Sequence, residues 1–256
     1  MSVELFLLFF VVAFVYSSVG FGGGSSYLAI LAMWSLDYNL LRLIALVCNI
    51  VVVSSGTYLY WKNGFLKWKK ISPLILLSVP AAFLGGYLKL SENTYFILLG
   101  ITLLLAAIAL WFKKEPITTN AAISNINKND NPIGNSLIGG SIGFLSGLVG
   151  IGGGIFLSPT LHLMHWDKAK VIAATASFFI LVNSAAGITG QLQHVFINDL
   201  DFSLIGGLVI SVFAGGQLGS RIGIVKFDPI ILRRVTAVLI LLVSLRILWK
   251  YVGLVI

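Results

Sequence analysis

Two glycine-rich stretches decide how this chain folds: Val19-Gly20-Phe21-Gly22-Gly23-Gly24-Ser25-Ser26 and Val149-Gly150-Ile151-Gly152-Gly153-Gly154-Ile155. Each lies inside a long apolar segment, where successive glycines weaken a helix because each costs about 1 kcal/mol relative to alanine. A helix break within a membrane frees backbone N–H groups, which is tolerated only beside protein or a water-filled cavity. The two stretches therefore predict two broken helices that border a cavity.

The composition indicates a membrane protein. Hydrophobic residues make up 58% of the 256 residues and charged residues only 10%, whereas a soluble domain carries roughly 25% charged residues. Since so few charges cannot cover a water-facing surface, the outer surface must face the lipid bilayer. Eight apolar segments follow one another, at 3–34, 40–61, 71–89, 94–112, 135–164, 169–190, 203–222 and 229–250. Their apolar residues are continuous rather than alternating, which predicts helices and not barrel strands.

Several other classes of protein are disfavoured by the sequence. The net charge of +8 does not indicate nucleic-acid binding, because the basic residues lie in short loops between apolar segments. The single cysteine, Cys48, excludes an intramolecular disulfide and a cysteine metal cluster. No Ser/His/Asp set, metal-ligand spacing or pair of intramembrane acids suggests an enzyme, and no cofactor is expected.

The chain contains an internal repeat. At an offset of 130 residues, Gly22, Gly23 and Gly24 match Gly152, Gly153 and Gly154. Asp37 matches Asp167 at the same offset, and both are predicted to be helix N-caps. We predict a first transmembrane repeat at 1–112, a polar cytoplasmic linker at 113–134 and a second repeat at 135–256. A duplication around a glycine-broken helix is typical of transporters.

The charges of the loops favour inverted repeats. If all eight segments cross the membrane, the 17 basic residues divide almost equally between its two sides. If the two glycine-broken segments are re-entrant, each repeat has three crossings and the second repeat is inverted. Thirteen basic residues then lie inside, and those outside are Arg42, Lys89, Arg246 and Lys250. This second arrangement agrees better with the positive-inside rule.

The predicted ligand of the glycine breaks is a small anion. If half-helices begin at Gly24 and Gly154, their free N–H groups and positive dipole ends form an anion site that needs no charged side chain. Close helix packing also explains the glycine spacing, and interhelical hydrogen bonds also explain the asparagines. The predicted substrate-binding residues are Gly22, Gly23, Gly24, Ser25, Ser26, Asn49, Gly152, Gly153, Gly154, Ile155 and Asn183. No acidic residue lies within a span, which disfavours a cation route.

At these residues the sequence resembles the sulfite exporter TauE/SafE family of membrane permeases. The resemblance rests on the two glycine motifs, on Ala174-Thr175-Ala176-Ser177 and Asn183-Ser184-Ala185-Ala186-Gly187, and on the pairs Leu84-Gly85 and Leu218-Gly219. It implies multi-pass transport of sulfite, thiosulfate or organosulfonates across the bacterial inner membrane. Transport of another small anion and a non-transporting role in a membrane assembly stay open, as do the direction, the coupling and a homo-oligomeric state.

Overall fold

The computed structural model describes residues 3–18, 21–34, 37–112, 131–194, 201–222 and 229–252. Within them the chain forms ten α-helices: α1 (Val3–Ser18), α2 (Gly24–Met33), α3 (Tyr38–Lys62), α4 (Trp68–Tyr87), α5 (Glu92–Phe112), α6 (Pro132–Val149), α7 (Gly154–Leu163), α8 (Ala169–Gln191), α9 (Phe202–Ile222) and α10 (Pro229–Val252). The described residues contain no strand. Most of the expected linker, 113–130, and the first two motif residues, Val19 and Gly20, lie outside the described residues.

Six of these helices are long and apolar enough to cross a membrane: α3, α4, α5, α6, α8 and α9. Two shorter apolar helices, α1 and α2, come before them. Helix α10 is of similar length and carries four basic residues, Arg233, Arg234, Arg246 and Lys250. Large apolar side chains stand on the outside of the molecule, as a lipid-facing surface requires; Leu76 is 78% exposed and Ile210 is 70% exposed.

Each glycine motif ends one helix and begins another, as the sequence predicts. Helix α2 begins at Gly24 after Gly23, whose φ is 86°. Helix α7 begins at Gly154 after Gly153, whose φ is 80°. Residues with a Cβ atom rarely adopt a positive φ. The backbone at both breaks therefore requires glycine.

The chain reverses direction at the first motif. In one continuous helix, the 18 positions between Phe9 and Tyr27 would separate these residues by about 27 Å along the axis. Their ring centroids instead lie 4.7 Å apart and the rings stack. With 10 residues, α2 is about 15 Å long, half the thickness of a hydrocarbon core of about 30 Å. The start of α2 thus folds back onto α1.

The second motif repeats this packing. A Cβ atom at Gly23 would lie 3.0 Å from Cγ1 of Val12, and one at Gly153 would lie 3.2 Å from Cγ2 of Ile142. Each glycine and its apolar partner keep the sequence offset of 130 residues. The two motifs therefore fold back onto the preceding helix in the same manner.

The two halves exchange helices across their interface, because α1 packs against α9 and α4 packs against α6. Glycines meet backbone carbonyls in both contacts: Gly215 meets Phe10, Gly219 meets Phe14, Gly143 meets Ser78 and Gly147 meets Ala82. Residue numbers rise together along both partners, so the helices of each pair run parallel. The absence of a side chain at these positions allows such close backbone approach.

Helices α3 and α8 run antiparallel between these exchanged pairs. The hydroxyl groups of Thr57 and Ser177 are 3.1 Å apart. Further along, a Cβ atom at Gly187 would lie 3.2 Å from Cδ1 of Leu46. Helices α5 and α10 also pack together, with Phe96 stacked on Tyr251 at 4.4 Å. The main helix contacts between the halves are thus matched by contacts with the roles of the halves exchanged.

Ion pairs join the loop before α4 to the loop before α8. The carboxylate of Asp167 accepts hydrogen bonds from Lys67 at 2.9 Å and contacts Lys70 at 3.2 Å. Burial alone would raise the pKa of Asp167, but hydrogen bonds from Lys67, the Lys168 N–H and Lys70 hold that pKa below its usual value. The prediction that Asp167 caps α8 is wrong, because the N-cap is Lys168. Asp37 does cap α3, accepting a hydrogen bond from the Asn39 N–H at 2.8 Å.

Candidate functional site

The two glycine motifs border one small cavity between the halves. Its lining consists of Tyr16, Phe21, Gly22, Gly23, Gly24, Ser25, Asn49, Ile151, Gly154, Ile155 and Ile180. The first residues of both α2 and α7 are among them. The cavity has a volume of about 10 Å³, which is room for about one water molecule. The cavity is therefore too small for an oxyanion, which would enter only after the halves or their side chains shift.

Asn49 lies between the two motifs. Its Nδ2 donates to the carbonyl oxygen of Ile151 at 2.9 Å, which joins α3 to the second motif. The same amide occupies the space beside Gly22 and Gly24, where a Cβ atom would overlap it. Asn49 is fully buried, and its Oδ1 has no hydrogen-bond donor among the described residues. An unsatisfied buried acceptor costs about 1–3 kcal/mol, so a water molecule or ligand that donates to Oδ1 would stabilise the site.

Ser25 and Ser26 are buried in the first turn of α2. The hydroxyl of Tyr16 lies 2.8 Å from the hydroxyl of Ser26 and 3.5 Å from that of Ser25. Ser25 lines the cavity, whereas Ser26 does not. Tyr16 therefore connects α1 to both serines beside the cavity, a role that the sequence motif does not suggest.

Besides Ser26, three of the predicted binding residues lie outside the cavity lining. A Cβ atom at Gly152 would lie 2.6 Å from Nδ2 of Asn49, so this glycine borders the amide. Gly153 packs against the ring of Phe179. Asn183 donates to the carbonyl oxygen of Phe179 at 2.8 Å, within its own helix. Asn49 thus lies at the cavity, whereas the amide nitrogen of Asn183 is used by a hydrogen bond within α8.

The position of α8 that matches Asn49 is Ile180. A Cβ atom at Gly24 would overlap the Asn49 side chain, and one at Gly154 would overlap the Ile180 side chain. The cavity therefore has an amide on one side and an aliphatic group on the other. The repeat did not reveal this difference, since an offset of 130 pairs Asn49 with Phe179, one residue before Ile180.

The positive potential of the site comes from the backbone. The first N–H groups of a helix lack intrahelical acceptors, and the helix dipole places about half a positive charge at that end. The N-caps of α2 and α7 are glycines, which have no side chain to occupy those N–H groups. No acidic side chain belongs to the lining residues. A helix N-terminus is in general a favourable position for an anion.

Comparison with known proteins agrees with this geometry. The family profile described as sulfite exporter TauE/SafE matches residues 5–247. The chain belongs to the TauE/SafE family. Since members of this family are membrane transporters, the protein is a transporter and not an enzyme. The resemblance seen in the sequence is thereby confirmed.

Similar proteins occur in several bacteria. This TauE/SafE chain is 34% identical over 251 residues to the probable membrane transporter protein y4hK of Sinorhizobium fredii, with 97% of this chain and 98% of the relative covered. It is 26% identical over 242 residues to the probable membrane transporter protein YunE of Bacillus subtilis, covering 86% and 88% of the two chains. The probable membrane transporter protein YjnA of Bacillus subtilis is 24% identical over 260 residues, covering 97% and 100%. No solved structure matches the chain.

Proposed function

We propose that this TauE/SafE transporter moves small sulfur-containing oxyanions, such as sulfite, thiosulfate or an organosulfonate, out of the cell across the bacterial inner membrane. The anion is held by backbone N–H groups at the starts of α2 and α7, with Ser25 and Asn49 beside them. The observation that carries this proposal is the convergence of two glycine-capped helix N-termini on a single buried cavity without an acidic residue in its lining.

Export of an anion requires no coupling ion in a cell with an inside-negative membrane potential. The potential supplies about 2.3 kcal/mol per charge for every 100 mV. The proposal therefore needs only alternating exposure of the site, driven by the potential and the anion gradient.

The proposed architecture is a pair of inverted repeats with re-entrant first segments. Helices α3 and α8, which hold matching positions in the two halves, run antiparallel. Opposite orientation of the halves produces this, whereas eight crossings and parallel repeats would make these two helices parallel. The ion pair between Lys67 and Asp167 supports the same arrangement. Eight crossings and parallel repeats would put the loop at 63–67 and the loop at 164–168 on opposite sides of the membrane, whereas re-entrant segments put both on the cytoplasmic side.

Cysteine labelling tests this topology. Because Cys48 is buried, a Cys48→Ala background with single cysteines at Asn63, His165 or Lys89 gives clean signals. We expect a membrane-impermeant maleimide to label Lys89→Cys in intact cells, and Asn63→Cys and His165→Cys only after the membrane is opened. Labelling of the residues at 63 and 165 from opposite faces would contradict inverted repeats.

A flux assay tests the proposed substrate and site together. The purified protein in liposomes should carry sulfite or thiosulfate at an imposed potential, with chloride and phosphate as competing probes. Asn49→Ala should raise KM about tenfold or more, the effect of losing a hydrogen bond to an ion. Thr102→Val is the matched control, since Thr102 is also buried and its hydroxyl bonds only within α5.

The outcomes separate the alternatives. Absence of flux with every anion, from a folded wild-type protein, would contradict the proposed substrate class and favour an assembly role or another cargo. Flux that Asn49→Ala leaves at its original KM would refute the site while the function stands. An effect of Thr102→Val equal to that of Asn49→Ala would show that any buried polar deletion perturbs transport.

A further inference from the structure

Arg42 is buried inside a helix that crosses the membrane. The loop charges predict that Arg42 lies on the outer side of the membrane, but the structure places it in the second turn of α3 with 0% of its surface exposed. It is the largest fully buried side chain of the described residues. A charged group at such a position is costly and marks an ion or substrate pathway more often than a packing position.

One nitrogen of the guanidinium is paired with the backbone. Nη2 donates to the carbonyl oxygen of Gly147 at 3.0 Å and to that of Gly86 at 3.5 Å. These carbonyls belong to the last turns of α6 and α4, and the negative ends of helix dipoles attract a cation. The ring of Tyr95 lies 5.8 Å from the guanidinium carbon. These contacts explain how the charge is tolerated in the closed arrangement.

The other two nitrogens of Arg42 differ from Nη2 in their surroundings. Nε and Nη1 have no hydrogen-bond acceptor among the described residues. The ion pairs among the described residues join Asp167 to Lys67 and to Lys70, so no described carboxylate pairs with Arg42. Guanidinium N–H groups match the geometry of carboxylates and other oxyanions. A buried cation with unpaired donors on two nitrogens therefore indicates a place for an anion.

Arg42 lies on the same face of α3 as Asn49. Seven residues make almost two helical turns and a rise of about 10 Å. The end of α6 connects the two side chains: a Cβ atom at Gly150 would lie 3.1 Å from Cα of Arg42, and the next residue, Ile151, accepts the hydrogen bond from Asn49. Arg42 is nearer to the start of α3, where the Tyr38 hydroxyl donates to the carbonyl oxygen of Leu90 at 2.9 Å.

We propose that Arg42 is a second binding station for the transported oxyanion, between the cavity at Asn49 and the membrane surface at the start of α3. This inference rests on the proposed transport of anions. When the start of α3 separates from the end of α6, Nη2 leaves the carbonyl oxygen of Gly147, and the adjacent N–H groups of Nη1 and Nη2 bind two oxygens of the anion. The cargo is thus a small oxyanion with at least two accessible oxygens, and the station lies on the proposed extracellular side.

Kinetics of the full-length protein in liposomes test this station. We compare KM for sulfite and thiosulfate in the wild type, Arg42→Lys and Arg42→Gln, with Arg246→Gln as the control because Arg246 is exposed on α10. Arg42→Gln should raise KM about tenfold or more, Arg42→Lys should raise it less, and Arg246→Gln should leave it unchanged. An unchanged KM in Arg42→Gln beside an active wild type overturns this proposal alone. A wild type inactive with every anion overturns the proposed function and this inference with it.

Chemical modification of the wild type provides a test that needs no variant to fold. Phenylglyoxal reacts with exposed guanidinium groups, and mass spectrometry of the peptide containing Arg42 measures its rate of modification. Under transport conditions Arg42 should react slowly, and thiosulfate should slow the reaction several-fold, while the rate at Arg246 stays the same. Failure of Arg42 to react under any condition, or equal rates with and without thiosulfate, would refute the station.

Discussion

Two glycines of α9 should respond to the same substitution with opposite signs. A Cβ atom at Gly219 would overlap the carbonyl oxygen of Phe14 and the hydroxyl of Ser17 on α1, whereas a Cβ atom at Gly206 would meet nothing within 4 Å. Both positions gain helix propensity when alanine replaces glycine, about 0.8–1 kcal/mol. Only Gly219 also incurs a steric cost, and its source is the contact between the halves.

The expected change in stability depends on whether the atoms that the new Cβ overlaps can move away. Overpacking costs about 1–3 kcal/mol, and overlap with a backbone carbonyl cannot be relieved by rotating a side chain, so the upper part of that range applies. We therefore expect Gly206→Ala to stabilise the protein by about 1 kcal/mol and Gly219→Ala to destabilise it by about 2 kcal/mol. At roughly 2–4 °C per kcal/mol for a chain of this size, Tm should rise by about 2–4 °C in the first variant and fall by about 4–8 °C in the second.

Thermal unfolding of the two purified variants in one detergent measures these shifts. Because both glycines lie in α9 and receive the same substitution, each variant is the control for the other. If Gly219→Ala proved as stable as Gly206→Ala, the parallel contact between α1 and α9 would not have the closeness described above, and the exchange of helices between the halves would need revision.

Three further predictions concern other parts of the molecule. Gly147→Ala should destabilise the protein as much as Gly219→Ala in the same unfolding assay, because its Cβ atom would overlap the carbonyl of Ala82 in the matching contact. Gly153→Ala should lower Tm more than Gly64→Ala. Both glycines have positive φ, 80° and 71°, but only at Gly153 would the added Cβ lie 2.9 Å from a ring, that of Phe179. Equal decreases in Tm would contradict the packing at the second break. The pKa of Asp167 is lowered in the folded protein. The ionised carboxylate should therefore stabilise the protein above its unfolded pKa of about 3.9, and this stabilisation should be lost as pH falls through the folded pKa. If Tm fell at acid pH in Asp167→Asn as it does in the wild type, this prediction would be wrong.

The sequence contains most of the architecture and part of the site. The apolar segments give the helices to within three residues outside the broken segments, because a membrane permits few alternatives to a continuous helix. The glycine repeat predicted the helix starts at Gly24 and Gly154, since successive glycines weaken a helix and the apolar segment continues after the last of them. Helix starts are local properties, and local sequence is sufficient for them.

What the sequence concealed depends on contacts between distant segments. Ile180, and not a second asparagine, takes the place beside Gly154 that Asn49 takes beside Gly24, because α3 and α8 align one residue away from the offset of the glycine motifs. Arg42 counts as an outside charge in the sequence because it lies near the start of its apolar segment, and only the packing of α4 and α6 against it shows that it is buried. Asp167 matches Asp37 in sequence, yet two lysines from the other half engage its carboxylate.

The packing of α1 against α9 also determines when during translation this contact can form. Helix α1 ends at Ser18 and its partner α9 begins at Phe202, so at about 5–20 residues per second the ribosome needs roughly 10–40 s to supply the second after the first. During that interval the glycine-matched face of α1 has only lipid or the insertion machinery to contact. Neither half is therefore a self-sufficient folding unit, and the two expressed as separate chains should assemble only when both are present in the same membrane.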